Sequence, residues 1–191
     1  SLLPKLNAVY TNPGKYLNDK LTAFQPKTRE LVSLALIRLA TMDPAEAAEE
    51  MNKLRWKTQL TDEERSWVWG VIGKRAAQKL SNEAPAYFAN GKANYMHEDH
   101  LAWQVRAALR QGRWQQVLTA INAMPEAQRN DPAWVYWRAR ALQTDNTRAQ
   151  ALQLFESIAS TRGFYEQLAL EELGQRISTP AKPPALTAEE K

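Results

Sequence analysis

Apolar residues recur at three- and four-residue intervals along most of the chain, which is the spacing of one face of an α-helix. The stripe is clearest in residues 113–124 and recurs in residues 98–111. Ala, Leu, Glu, Gln, Arg and Lys dominate the sequence and β-branched residues are sparse, a composition that favours helix over strand. The pattern predicts an all-α protein.

Helix boundaries are marked by capping residues. Asp43-Pro44 and Asp131-Pro132 each combine a side-chain acceptor with a proline suited to the first helical position. Thr61 followed by Glu64 is a capping box. The helix that starts at Pro44 is expected to run to about Leu54. Its inner face is expected to carry Ala47, Met51 and Leu54.

Residues 131–173 predict three consecutive helices. The first is expected to bury Trp134, Trp137 and Ala141, the second Ala149, Leu152, Phe155 and Ala159, and the third Leu168, Ala169 and Leu173. Phe164, which opens the third helix, is also expected in the core. Gly174 is placed to end that helix, because glycine readily takes the left-handed backbone conformation there.

Residues 28–41 are apolar on nearly every side, which indicates a helix buried between neighbours. We therefore expect an earlier repeat to pack on the N-terminal side of this helix. Residues 82–91 predict a short helix with Tyr87 and Phe88 inward.

An internal repeat links the helix pairs. Ala102-Trp103 and Ala133-Trp134 open two first helices about 31 residues apart, within the period typical of tetratricopeptide-like arrays. The predicted architecture is a right-handed α-superhelix, a solenoid of helical hairpins over residues 1–176. Residues 177–191 are polar, proline-rich and without periodicity, and are expected to form a linker.

Composition narrows the choice of partners. The net charge is only +4 over 191 residues and the basic residues alternate with acidic ones, so no nucleic-acid partner is predicted. No apolar run reaches 18 residues, and so no membrane span is predicted. The start, Ser1-Leu2-Leu3-Pro4, does not have the form of a signal peptide. If the protein is exported, this chain is expected to be a processed or excised piece.

Catalytic candidates are few. His97 and His100 flank Glu98-Asp99, but their i, i+3 spacing and the lack of a third ligand predict no metal site. Glu156 is followed by Ser157 inside a predicted helix, with nothing nearby to form a catalytic cleft. There is no cysteine and no glycine-rich phosphate loop, and we predict no cofactor.

Aromatic and arginine side chains are the better candidates for binding. Trp103 and Tyr136 lie off the main apolar stripes and are expected to be exposed. Arginines concentrate in the last helix pairs, where they could meet carboxylates or simply form solvated helix faces. The candidate substrate- or domain-docking residues are Trp103, Arg106, Tyr136, Arg138, Arg162 and Tyr165.

Three short motifs carry a family resemblance. In order, Arg162-Gly163-Phe164-Tyr165, Leu168-Ala169 and Leu173-Gly174 resemble the closing segment of the superhelical (U-type) domain of soluble lytic murein transglycosylases of Gram-negative bacteria. The resemblance is strongest over residues 98–175. Over residues 26–97 it depends on the order and lengths of the helices.

The resemblance implies a non-catalytic scaffold. In that family the catalytic Glu-Ser pair precedes a Gly-Leu-Met-Gln segment, which this sequence lacks, so no catalytic residue is assigned. The intact periplasmic enzyme would cleave the MurNAc–GlcNAc bond of peptidoglycan and leave 1,6-anhydro ends, without metal or cofactor. The implied partners are the chain's own linker and catalytic domains and the glycan strands.

Two other functions fit the residues. The chain could be a free-standing tetratricopeptide-like adaptor that binds a protein or peptide in its groove. It could also be an independent enzyme that uses His97 or Glu156. Residues beyond Lys191 would separate the scaffold from the adaptor, and loss of peptidoglycan turbidity would support the enzyme.

Overall fold

A computed structural model describes residues 2–19, 22–144 and 147–176. All regular structure within these ranges is helical, which confirms the all-α prediction. The chain divides into two compact units, residues 1–134 and 135–191, and each is described by itself.

The first unit contains ten helices and the start of an eleventh, counted over its described residues. They are α1 (Leu3–Thr11), α2 (Pro13–Asn18), α3 (Pro26–Met42), α4 (Pro44–Met51), α5 (Leu54–Gln59), α6 (Asp62–Gln78), α7 (Ala84–Ala89), α8 (Glu98–Arg110), α9 (Trp114–Ala123) and α10 (Glu126–Arg129). A 3₁₀ turn at Ala93–Tyr95 precedes α8. Helix α11 (Pro132–Thr144) begins in this unit and continues into the second, which also holds α12 (Arg148–Ile158) and α13 (Phe164–Glu172).

The predicted caps form as expected. The Asp43 carboxylate accepts hydrogen bonds from the backbone N–H groups of Ala45 and Glu46 at 2.9 and 3.1 Å. Thr61 Oγ1 accepts from Glu64 N at 3.1 Å, and the Glu64 carboxylate accepts from Thr61 N at 2.8 Å. Each cap satisfies N–H groups that have no partner within the helix. Gly174 has φ +73° after α13, the left-handed conformation predicted for it.

Helix α6 is the centre of the first unit, where it packs against α3, α4, α7 and α8. Two glycines on it allow close approach. A Cβ at Gly73 would lie 2.7 Å from ring carbons of Phe88 on α7. A Cβ at Gly70 would lie 2.5 Å from Nδ1 of His100 on α8. The absence of these two side chains therefore lets α7 and α8 sit against α6.

A buried carboxylate ties together α4, α5 and the end of α2. Glu50 is 9% exposed and accepts from Trp56 Nε1 at 2.8 Å and from Arg55 Nη2 at 3.1 Å. Arg55 also donates to the carbonyl of Leu17. Burial acts to raise the pKa of Glu50, but hydrogen bonds from Lys53, Trp56 and Arg55 outweigh it, so the pKa is lowered. The carboxylate therefore stays ionised, as a buried charge with paired donors can.

One prediction in this unit is wrong. Leu54 is 75% exposed, because α4 ends at Met51 and the backbone turns at Asn52 and Lys53 before α5 begins. Trp56 on α5, which is fully buried, fills the core at this point. On α3, Leu34 is 46% exposed, so one side of this helix is uncovered, and the earlier repeat expected to pack on the helix stays a prediction.

In the second unit, the core forms around two aromatic residues and three alanines: Tyr136, Phe155, Ala139, Ala151 and Ala169. The alanines leave room for the aromatic rings, a small-with-large packing typical of helix pairs. Three predicted core positions are wrong: Phe164 is 70% exposed, Ala149 is exposed, and Trp134, in the first unit, is only half-buried. On α12, Phe155 is fully buried as predicted, and Ala151, one turn before it, is buried in place of Ala149.

We expect Gly73→Ala to destabilise the protein by about 1–3 kcal/mol, although alanine is the better helix former. The added methyl must displace the Phe88 ring, which is fully buried. Chemical denaturation followed by circular dichroism measures the change. The exposed Gln78→Ala on the same helix is the control and should move stability by less than about 0.5 kcal/mol. A neutral or stabilising Gly73→Ala would contradict the packing described for α6 and α7.

A second pair of variants tests the revised core of the second unit. Tyr136→Ala removes a ring that is 4% exposed and should cost about 3–5 kcal/mol. Phe164→Ala removes a ring that is 70% exposed and should cost less than about 1 kcal/mol. Differential scanning calorimetry measures the loss of stability in each variant. Equal losses of stability would mean that the buried face of α11 is assigned wrongly.

Candidate functional site

Three side chains of the first unit form a surface feature that we call the tryptophan–arginine patch: Trp103, Arg106 and Trp134. The guanidinium carbon of Arg106 lies 5.1 Å from the ring centroid of Trp103 and 5.4 Å from that of Trp134. Both indoles are half-buried and Arg106 is exposed. A cation over an aromatic face at such distances is attracted by about 0.5–1 kcal/mol per ring at exposed sites. The two rings therefore restrict where the guanidinium can lie.

The fold brings the patch together from two helices. Trp103 and Arg106 are three residues apart on α8, so they share one face. Trp134 lies in the first turn of α11, and its backbone N–H donates to the Asp131 carbonyl at 2.9 Å. The Asp131 carboxylate accepts from Ala133 N, also at 2.9 Å, and so fixes the start of the helix.

A further hydrogen bond ties the approach to α11 back to α8. The side-chain amide of Gln128, on α10, donates to the backbone carbonyl of Glu98 at 3.0 Å. This hydrogen bond holds α10, which precedes α11, against the start of α8. The tryptophans that define the 31-residue repeat, Trp103 and Trp134, meet at one guanidinium as a result.

The guanidinium of Arg106 keeps its donors available. Among the residues that the structure describes, it makes no hydrogen bond or ion pair, whereas Arg29, Arg55 and Arg140 each pair with a carboxylate. An arginine side chain has five N–H donors in one plane, which match the two oxygens of a carboxylate. The patch can therefore bind an anionic group.

The sequence prediction for the patch was incomplete. Trp103 and Arg106 were candidates, and the structure places them together. Trp134 was expected in the core and is instead half-exposed beside Arg106. The sequence feature that indicates the exposure of Trp134 is its position just after the Asp131-Pro132 helix start. Side chains in a first helical turn point back beyond the helix, where they are less easily covered.

Tyr136 was predicted to be exposed, and this prediction is wrong. Its side chain is 4% exposed, with ring centroids 5.2 Å from Trp137, 5.7 Å from Phe155 and 5.6 Å from Tyr165. The apolar spacing of the sequence predicts that the buried face of α11 contains Trp134 and Trp137. The buried side runs through Val135, Tyr136 and Ala139.

The Tyr136 hydroxyl has partners suited to its buried position. Arg140 Nη1 donates to it at 3.1 Å and to Glu172 Oε1 at 2.9 Å. Tyr136 in turn donates to the same Glu172 oxygen at 3.4 Å. Burial raises the pKa of Tyr136, against the opposing effect of Arg140. This network joins α11 to α13, so Tyr136 and the half-buried Tyr165 hold the second unit together.

Arg138 and Arg162 lie elsewhere in the second unit, and neither belongs to that network. Arg138 is half-buried and lines a shallow depression of about 390 Å³ with Leu142 and Leu154. Its Nε is buried without a hydrogen-bond partner among the described residues. Arg162 is exposed in the segment before α13. Both stay predictions as docking residues.

The two histidines have structural roles, one as a helix cap and one as a buried side chain. His97 caps α8, with its Nδ1 accepting from Asp99 N at 3.2 Å. Asp99 forms an ion pair with Lys74. His100 is 6% exposed, and its ring lies 5.3 Å from that of Trp67. In the described part of the chain, no three His, Cys, Asp or Glu side chains are grouped so as to hold a metal ion.

Glu156 lies exposed on α12. The hydroxyl of the neighbouring Ser157 donates to the Leu154 carbonyl at 2.7 Å. Glycoside cleavage by an acid requires a cleft around the carboxyl group, and the exposed face of α12 at this pair provides none.

Comparison with known proteins supports the resemblance drawn from the sequence. No family model matches the chain. The soluble lytic murein transglycosylase of Escherichia coli K12 is 21% identical over 166 residues, which are 86% of this chain and 26% of that protein. The soluble lytic murein transglycosylase of Salmonella typhimurium is 23% identical over 152 residues. The chain thus spans about a quarter of the length of these curated relatives.

Solved structures show the same fold. An inactive mutant of the lytic transglycosylase Slt from Pseudomonas aeruginosa matches 97% of this chain and 31% of its own, with a TM-score of 0.70 and 22% identity. The 70 kDa soluble lytic transglycosylase of Escherichia coli matches 96% of this chain and 30% of its own, with a TM-score of 0.61 and 19% identity. These proteins contain an α-superhelix, which confirms the predicted fold class, and the predicted resemblance is confirmed as well.

His100 provides a prediction about pH. Burial lowers the pKa of His100 to about 4, with the nearby charge of His97 acting in the same direction. In the unfolded chain the group titrates near 6.5. Between these pH values the unfolded state binds the proton and the folded state does not, so stability falls as the pH falls from about 6.5 to 4.

Proton NMR of the two imidazole rings between pH 4 and 8 checks this directly, with His97 as the internal control. His100 should stay neutral down to about pH 4. A midpoint for His100 close to 6.5 would show that the ring is not buried against α6.

Proposed function

We propose that this chain is a non-catalytic scaffold portion of a periplasmic soluble lytic transglycosylase. Such an enzyme cleaves the MurNAc–GlcNAc bond of peptidoglycan and leaves 1,6-anhydro ends. The observation that carries the proposal is the structural match along 97% of this chain to less than a third of a lytic transglycosylase. The curated relatives of the same kind, matched over about a quarter of their length, support it independently.

Two observations on the residues agree with this role. The Gly-Leu-Met-Gln segment implied by the family does not occur in the sequence, and Glu156 lies on an exposed helix face. The acid that protonates the glycosidic oxygen belongs, in this proposal, to another domain of the same enzyme. The described residues include no helix long and apolar enough to cross a membrane.

In this proposal, the chain holds and orients the catalytic domain and the glycan strands. Its helices present exposed arginines and half-buried tryptophans on a frame fixed by the α6 packing and the Glu50 network. The proposed partners are the linker and catalytic domains of the enzyme and the glycan strands of peptidoglycan. Residues 177–191, the predicted start of the linker, lie outside the described residues.

Incubation of the purified chain with isolated peptidoglycan sacculi tests the proposal. The chain should sediment with the sacculi and release no 1,6-anhydro-muropeptides, as measured by chromatography of the supernatant. A full-length lytic transglycosylase serves as the positive control for product release.

Two results would count against this role. Release of anhydro-muropeptides by the chain alone, abolished by Glu156→Gln, would make it an independent enzyme. A chain that stays in solution beside the sacculi would favour an adaptor for protein or peptide partners.

A further inference from the structure

We propose that the tryptophan–arginine patch is a binding site for a free carboxylate of the peptide stems of peptidoglycan. The identity of the ligand rests on the function proposed above. The site itself rests on the geometry of Trp103, Arg106 and Trp134.

The first step is that Arg106 is positioned but has no anionic partner. The two indoles hold its guanidinium carbon at 5.1 and 5.4 Å from their centroids. No carboxylate of the described residues lies within ion-pair distance of it. An arginine that is ordered before binding loses less side-chain entropy when a ligand arrives.

The second step is that four other arginines with aromatic or carboxylate contacts already use N–H donors within the described residues. Arg29 donates to Glu64 at 3.1 Å, Arg55 to Glu50 at 3.1 Å and Arg140 to Glu172 at 2.9 Å. Arg38 lies over the Tyr10 ring but donates to the Tyr10 carbonyl at 3.3 Å. Among the described arginines with aromatic contacts, Arg106 therefore has the most donor capacity left.

The third step concerns the ligand. The two rings contact the guanidinium through its charge, and no hydrogen bond to the described residues occupies its N–H edge. That edge matches the two oxygens of a carboxylate. The half-buried indoles exclude water from one side of the contact, which strengthens a charge-assisted hydrogen bond. Unmodified stem peptides of peptidoglycan present free carboxylates, whereas the GlcNAc residues of the glycan strand present amides and hydroxyls.

Titration of the full chain with soluble disaccharide–tetrapeptides, followed by tryptophan fluorescence, measures the binding. Arg106→Gln should weaken it about 10-fold, because the charge-assisted pair is lost. Arg106→Lys keeps the charge without the planar fork and should weaken it by less. Arg113→Gln is the control, since it removes the same charge from an exposed side chain between α8 and α9.

A chemically matched ligand provides the second arm. Disaccharide–tetrapeptides whose carboxylates have been converted to amides should bind the wild-type chain about 10-fold more weakly. For the Arg106→Gln variant, the amidated and the unmodified ligands should have equal affinity. A general loss of folding would not make the effect of amidation depend on Arg106.

The outcomes separate the site from the wider function. The patch is not the site if Arg106→Gln binds the unmodified ligand as tightly as the wild-type chain does. The same holds if amidation of the ligand weakens its binding to Arg106→Gln as much as its binding to the wild-type chain. In both cases the scaffold role stands. If the wild-type chain binds neither these ligands nor sacculi, the proposed contact with peptidoglycan fails and the patch proposal fails with it.

Discussion

The close approach of α7 and α8 to α6 is the constraint on which the first unit depends. It is possible because Gly70 and Gly73 offer no side chain where His100 and Phe88 lie. Both partner side chains are buried, so neither can move into solvent to make room. Glycine inside a helix costs about 1 kcal/mol relative to alanine, and here that cost is offset by the packing that it allows.

The surface chemistry follows from this packing. His100 and Gln104 turn one side of α8 toward the core, which leaves Arg106 exposed and Trp103 half-buried at the edge of that side. The cap at Asp131 then brings Trp134 to the same guanidinium. A site with no acid, base or metal of its own is suited to binding and positioning. Such a site agrees with the scaffold role proposed for this chain.

Local chemistry made much of the fold predictable. The caps at Asp43 and Thr61 and the turn at Gly174 each depend on neighbouring residues, and all three formed as expected. The faces of α11 and α12 were less predictable, because aromatic or alanine residues occur on several sides of each helix. Which side is buried depends on the partner helices, and the sequence spacing of Tyr136 or Ala149 does not contain that information. For the same reason, Trp103 and Arg106 could be proposed from spacing, but Trp134 could not.

The most direct test maps the contact surface without any substitution. Each of the seven tryptophans contributes one indole N–H signal to a nitrogen-correlated NMR spectrum. On addition of soluble disaccharide–tetrapeptides, the signals of Trp103 and Trp134 should shift. Those of the fully buried Trp56 and Trp69 should not. Shifts confined to other tryptophans, or an unchanged spectrum at saturating ligand, would contradict the account.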